Sequence, residues 1–266
     1  MRNKFRLMCV MAHPDDESLG TGGTLAKYAD EGVETFLLTA TRGERGRFFE
    51  KDRKSPGFEE VGKVREQELL AAAKELKVSQ VHFLNYIDGS LDSADPREII
   101  EKIAGFVREI RPQVVITFGP DGGYGHTDHI AISQFTTAAL VEAAKPDESG
   151  RFHAVAKLYF MQWSGAKWNA YQKALRKLKT NVDGEERIAV PWPDWAITTF
   201  IDTRKYWKQA WRAVSCHKTQ MAIYGQLENL PEEQHRAIWG TQEFYRVYSL
   251  VNGGRKKEAD LFEGLH

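Results

Sequence analysis

Short apolar runs break the first half of the chain at regular intervals, at residues 5–11, 35–41, 81–84 and 114–118, each of strand length. Between them the apolar residues change to helical spacing. A short helix over 22–31 follows a glycine-rich turn. Val61, Val64, Leu69, Ala72, Ala73 and Leu76 mark one helical face over 61–76. Ile99, Ile100, Ile103, Phe106, Val107 and Ile110 mark another, with Pro96 placed where proline opens a helix. A last helix is expected over 130–144. Four strand–helix repeats predict an α/β fold with a mainly parallel sheet and helices on both faces. Residues 42–60 are charged, carry glycine and lack a period, which reads as a long surface loop.

Beyond Pro146 the pattern weakens. Residues 157–161 and 196–202 read as strands, 203–216 as a helix, and 243–251 as a late strand or packed tail. Between the first two lies a Trp-, Lys- and Gly-rich stretch ending in Pro191-Trp192-Pro193-Asp194-Trp195. There are no repeats, low-complexity tracts or evident linkers. The expected organisation is one domain over 1–266: a core half over 1–145, and an irregular part over 146–266 that completes the sheet and pocket.

Polar residues collect where two of the apolar runs end. The first runs into Met11-Ala12-His13-Pro14-Asp15-Asp16-Glu17, and the fourth leads to His126-Thr127-Asp128-His129. The common strand order 3-2-1-4 would set these strands side by side, with both clusters in the crevice where the order reverses. His13 and Asp16 lie three apart on a turn fixed by Pro14, and His129 supplies a third donor. Two imidazoles and a carboxylate suit a catalytic zinc with a position left for water; iron(II) accepts the same set. Asp15 then faces away from the metal, within reach of a water proton. His126 is placed to stabilise an oxyanion or protonate a leaving amine, and Asp128 to orient it. An aspartate at a strand end more often caps the next helix, so the metal reading rests on the combination. Glu17 is expected to satisfy loop amides. Gly20-Thr21-Gly22-Gly23 lacks the G-x-G-x-x-G spacing, and the carboxylates before it would repel a pyrophosphate.

Composition removes several alternatives. Lys plus Arg and Asp plus Glu are both 37, giving no net charge and no support for a nucleic-acid or anionic-membrane partner. Cys9 and Cys216 are the only cysteines, so a reducing cytoplasm is the expected compartment. No apolar stretch is long enough to span a bilayer. The basic start (Arg2, Lys4, Arg6) precedes too short an apolar run for a signal peptide, and cleavage would destroy the proposed ligands.

Ala12-His13-Pro14-Asp15-Asp16-Glu17 with Gly22-Gly23, and Gly125-His126-Thr127-Asp128-His129, closely resemble the two signature motifs of the LmbE-like (PIG-L) de-N-acetylase family. Thr41-Arg42-Gly43-Glu44, Arg65 with Glu68, and Asp88-Gly89 also resemble the family pattern. The resemblance covers about residues 5–140 and, more loosely, His217-Lys218-Thr219-Gln220. Thr127 replaces a proline common at that place. The resemblance implies a Rossmann-like fold and zinc-dependent hydrolysis of an N-acetyl group, usually on a glucosamine unit. By motif position His13, Asp16 and His129 would hold zinc, Asp15 would be the general base, and His126 the oxyanion stabiliser or acid with Asp128 behind it.

Arg65, Asp88, Tyr124 and Glu44 would form the substrate-binding set. Each has a structural alternative: a helix-surface ion pair for Arg65, loop pinning for Glu44, packing for Tyr124. His217 reads as structural or as a subunit contact. Trp163, Trp168, Trp192 and Trp195 offer a stacking wall for a sugar or simply pack. A homo-oligomer is consistent with the trimers and hexamers found among members. Two rival functions are an amidase acting on a glucosamine–cysteinyl conjugate and a non-catalytic sugar-binding protein. An intact Asp15 argues against the second. The aglycone is not legible; its selectivity is expected in residues 42–60 and 163–195.

Overall fold

The computed structural model describes residues 4–48, 56–175, 179–182 and 184–266. Its strands, in chain order, are β1 (Arg6–Met11), β2 (Glu34–Thr41), β3 (Gln80–Tyr86), β4 (Val114–Phe118), β5 (Lys157–Gln162), β6 (Lys179–Val182), β7 (Glu185–Ile188), β8 (Thr199–Asp202) and β9 (Thr241–Ser249). Seven form one sheet in the order β3-β2-β1-β4-β5-β9-β8, while β6 and β7 make a separate antiparallel ribbon. The first five strands of the sheet run parallel; β9 is antiparallel to β5, and β8 to β9.

Leu7, Met8, Cys9, Val10 and Met11 of β1 are all 0% exposed, which explains why this strand reads as a continuous apolar run: helices cover both faces. The order reverses between β1 and β4, as expected. Helices α1 (Gly22–Asp30) and α2 (Phe58–Glu75) join β1-β2-β3 on one side. Helix α3 (Pro96–Ile110) and the helix Thr127–Ala143 join the strands running the other way and pack on each other. Right-handed crossovers therefore put the two pairs on opposite faces. Asp95 caps α3 through the amides of Arg97 and Glu98, and Pro96 fills its first turn.

The structure corrects the boundaries at several places. Helix α2 starts at Phe58, inside the expected 42–60 loop; residues 49–55 of that loop lie outside the described residues. The C-terminal part is more regular than its sequence suggests. Beside Trp207–Cys216, which falls within the helix expected over 203–216, it holds helices Gly165–Leu175 and Glu232–Trp239 and the ribbon. The three helices share a small core in which Tyr171, Trp207, Val214, Ile238 and Trp239 are buried. Aromatics set among charged residues leave a weaker periodic signal than an aliphatic stripe does. The expected late strand or packed tail is β9, inserted in the sheet rather than added to it.

Glu258 ties this half together. Its carboxylate is 3% exposed and accepts from Lys157 Nζ (2.8 Å), Tyr159 Oη (2.8 Å), Thr199 Oγ1 (3.0 Å), Arg246 Nη1 (2.8 Å) and Asn252 Nδ2 (2.8 Å). Those donors come from β5, β8, β9 and the chain beyond. Glu258→Ala would leave the fully buried Lys157 unpaired, so a loss of about 3–5 kcal/mol is expected in urea unfolding. A loss below about 1 kcal/mol, the range of an exposed pair, would contradict this role.

Candidate active site

Both polar clusters leave the sheet at the carboxyl ends of adjacent strands. Beyond β1 the chain turns so sharply that Asp15 takes φ of 103°, a region that residues with a side chain rarely occupy. Glu17 holds this turn: its Oε2 accepts from the Asp15 amide at 3.0 Å. A single π-helical turn, Glu17–Thr21, then leads into α1. Beyond β4 the loop passes through Gly122 at φ 60°, where a Cβ would lie 3.0 Å from that of His129. The Gly122 carbonyl accepts from His129 Nδ1 at 3.1 Å.

Three side chains meet between the clusters. His13 Nδ1 lies 3.2 Å from His129 Nε2 and 3.6 Å from Asp16 Oδ2, and His129 Nε2 lies 3.4 Å from Asp16 Oδ1. For zinc held at about 2.0–2.1 Å, the edge of the ligand tetrahedron is about 3.3 Å. The tautomers agree with that fit. His13 Nε2 lies 3.0 Å from both Asp128 Oδ2 and Asp88 Oδ1 and donates to them, so its proton is held away from the centre. His129 keeps its proton on Nδ1, toward Gly122. With both rings neutral, two imidazole lone pairs and the Asp16 carboxylate border one space, an arrangement that suits a cation.

Without a cation the acidic neighbours favour a second proton on His13, so a metal ion binds in competition with that proton. Burial opposes charge on His13, yet Asp128, Asp16 and Asp88 drive its pKa well above the ordinary value. Burial pushes His129 down to about 3. Asp16 is also buried, but His129 and His13 hold its carboxyl below the usual range. His126 also places a ring nitrogen within 4.8 Å of a ring nitrogen of His13 and of His129. Asp16, with its two oxygens at 3.6 and 3.4 Å from the two rings, adds the carboxylate of the set.

Asp15 lies beside this centre without joining it. Burial raises its carboxyl to about 6, against the pull of Arg65. Arg65 is 4% exposed rather than paired on a helix surface, and it donates to Gly43 O (2.8 Å), Pro14 O (2.5 Å) and Asp15 Oδ2 (3.3 Å). His126 accepts the Asp128 amide on Nδ1 at 3.2 Å and so caps the helix Thr127–Ala143. Burial lowers its pKa, leaving a neutral ring with its proton on Nε2. The Asp128 carboxylate does not orient His126 as the sequence suggested. It accepts from Gly89 N (2.6 Å), Leu91 N (3.1 Å) and His13 Nε2 (3.0 Å).

The outer residues divide. Asp88 lines the site but spends its oxygens on His13 and the Arg45 amide, while Glu44 accepts from the Asp88 amide at 2.9 Å behind it. Tyr124 stands edge-on to His126 and His129, and burial with the nearby Asp16 raises its pKa, keeping the hydroxyl protonated. Of the four tryptophans only Trp163 lines the cavity; Trp168 stacks on it, Trp192 bonds Asp121, and Trp195 is 81% exposed.

Two contributors, Tyr224 and Gln162, have no evident sequence signal, and a third, Gln220, lies in the segment of looser family resemblance. Tyr224 donates to Asp15 Oδ2 at 3.0 Å, and Gln162 and Gln220 join the lining. His217 is structural, as expected: fully buried, it meets Glu17 Oε1 at 2.9 Å. Burial opposes its charge but Glu17 raises its pKa. The cavity measures about 270 Å³, with the polar cluster on one side and Leu19, Met161, Trp163 and Ile223 on the other. A larger depression of about 770 Å³ lies elsewhere, and its Lys27, Arg204 and Arg236 are paired with Glu31, Asp202 and Glu232.

A metal-ready centre with a separate carboxylate beside it, at the switch point of a parallel sheet, defines the class: a metal-dependent hydrolase scaffold. The chain belongs to the PIG-L, GlcNAc-PI de-N-acetylase family, whose profile matches residues 8–140. It is 35% identical to 1D-myo-inositol 2-acetamido-2-deoxy-alpha-D-glucopyranoside deacetylase of Rhodococcus jostii, over 98% of each chain. It is 30% identical to mycothiol S-conjugate amidase of Streptomyces coelicolor, over 100% of this chain and 99% of that one. Among solved structures, the 4-carboxy-2-hydroxymuconate hydratase of Pseudomonas putida superposes with TM-score 0.70 at 18% identity, covering 94% of this chain and 99% of that one. That likeness shows the fold alone, since one scaffold serves different reactions.

Asp128 touches His13 rather than the centre, so Asp128→Ala should keep a metal site and weaken it by about 10–100-fold in a chelator competition. Unchanged affinity would show that this carboxylate does not set the His13 tautomer.

Proposed function

We propose that the protein is a zinc-dependent hydrolase that removes the acetyl group from an N-acetylglucosaminyl glycoside, releasing acetate and the free amine. The observation that carries this reading is the convergence of His13, Asp16 and His129 on one point with Asp15 held just outside it. The full-length similarity to inositol glycoside deacetylases supports the substrate class. A divalent metal bound by those three residues supplies Lewis-acid polarisation of the acetamide carbonyl and acidifies a water.

The chain's own residues do the rest. Asp15 takes the proton from the attacking water. The neutral His126 presents its Nε2 proton to the oxygen of the former carbonyl as negative charge develops there. Tyr124, kept protonated, offers a second hydroxyl donor on the same wall. Proton return from Asp15 to the nitrogen completes cleavage of the C–N bond. Asp88 and Asp128 hold His13, and Arg65 holds Asp15 while lining the cavity.

A second reading keeps every residue role and changes the acyl group: an amidase for a glucosamine–cysteinyl conjugate, favoured by the similarity to the Streptomyces amidase. Incubation with an N-acetylglucosaminyl inositol and, separately, with a cysteinyl-glucosamine conjugate separates the two. Acetate from the first is expected; a released S-conjugate from the second alone would select the amidase. Asp15→Ala should retain zinc by elemental analysis and lose at least about 100-fold in kcat, the lower bound for removing a general base. His13→Ala should lose both metal and turnover. Unchanged zinc affinity in His13→Ala would overturn the ligand assignment.

A further inference from the structure

Asp15 belongs to the N-terminal motif, yet its position is set largely by a segment two hundred residues away. The stretch from His217 to Tyr224 follows the helix Trp207–Cys216 and passes over the motif turn in short helical pieces. Its anchorage is explicit. Glu68 of α2 accepts from both the amide and the hydroxyl of Thr219, each at 2.7 Å. Gln220 Nε2 donates to Arg47 O at 2.6 Å, and His217 Nε2 meets Glu17 Oε1 at 2.9 Å. Glu17 holds the Asp15 amide with its other oxygen, so the segment reaches Asp15 once through the backbone. It reaches it again through Tyr224, whose hydroxyl donates to Asp15 Oδ2 at 3.0 Å from the cavity wall.

Arg65 donates to that same oxygen at 3.3 Å. Among the described residues no donor reaches Oδ1. A carboxylate bound through one oxygen by two donors from different directions has little freedom to turn, and its second oxygen is left for the reacting water. Asp15 needs such restraint because its backbone sits at φ 103°, where the local chain would relax without external support. The deepest-set donor of the pair is a guanidinium fixed by two carbonyls; Tyr224 supplies the direction Arg65 cannot.

We propose that Tyr224 is a positioning residue of this active site, which with Arg65 occupies Oδ2 of Asp15 and leaves Oδ1 as the proton-accepting atom. The inference rests on the reading of Asp15 as general base, and its test keeps the two apart. Tyr224→Phe removes one oxygen and keeps the ring. With 1D-myo-inositol 2-acetamido-2-deoxy-α-D-glucopyranoside as probe, kcat should fall by about 10-fold or more, the scale of one hydrogen bond to a charged group. KM should stay within about twofold, and zinc content and Tm should match the parent. Crystal structures of the parent and Tyr224→Phe proteins give a readout that needs no substrate. The parent should show Tyr224 Oη on Asp15 Oδ2, and the variant a turned or doubly placed carboxylate.

An unmoved carboxylate in the variant, or an unchanged kcat, would overturn the positioning role. So would a raised KM at constant kcat, which would make Tyr224 a substrate contact. Asp15→Asn is the separate control. If it retains parental kcat, the base assignment fails whatever Tyr224 does. If it is inactive while Tyr224→Phe is unimpaired, only the present inference fails.

Discussion

Three buried side chains border one space, and much of the molecule serves to keep them there. His13 Nδ1 stands 3.2 Å from His129 Nε2 and 3.6 Å from Asp16 Oδ2, and His129 Nε2 stands 3.4 Å from Asp16 Oδ1. Such a cluster is held together by a positive charge, either a second proton on His13 or a cation in its place. Its geometry is fixed from behind. Asp128 and Asp88 hold the outer nitrogen of His13, two loop amides hold Asp128, and the Gly122 carbonyl holds His129. The sheet contributes the spacing, because β1 and β4 are hydrogen-bonded neighbours and deliver the two clusters to the same edge.

The base is arranged by a different set of forces. Asp15 is next to Asp16 in sequence, and only a reversed backbone conformation turns the two carboxylates to separate tasks. Glu17, Arg65 and Tyr224 hold that conformation, and Glu17 is in turn held by His217. Metal ligands thus depend on the N-terminal half, while the base depends on both halves. The Glu258 network gives the second half the rigidity this requires, since it joins β5, β8 and β9 through one carboxylate.

The parts legible in the sequence are those written locally. Continuous apolar runs at strand ends located His13, Asp16, His126 and His129, and the usual strand order placed β1 beside β4. The role of Asp128 was misread because His-x-Asp spacing suggests a partner two residues away, whereas the helix turns that carboxylate toward His13. Arg65 resembles any helix arginine until α2 is docked and buries it. Tyr224 has no local signature at all; it matters through a contact across 209 residues. The helix Trp207–Cys216 lies within the helix expected over 203–216, whereas Gly165–Leu175 and Glu232–Trp239 were missed because the small core they share with it is built largely from aromatics without a clear period.

Anomalous scattering at the zinc edge, from crystals grown with zinc, tests the central claim most directly. The account predicts one strong peak bonded to His13 Nδ1, His129 Nε2 and Asp16, with Asp15 outside bonding distance. A peak coordinated by His126 in place of Asp16 would contradict the ligand set, and one bonded to Asp15 would take away the carboxylate assigned as the base.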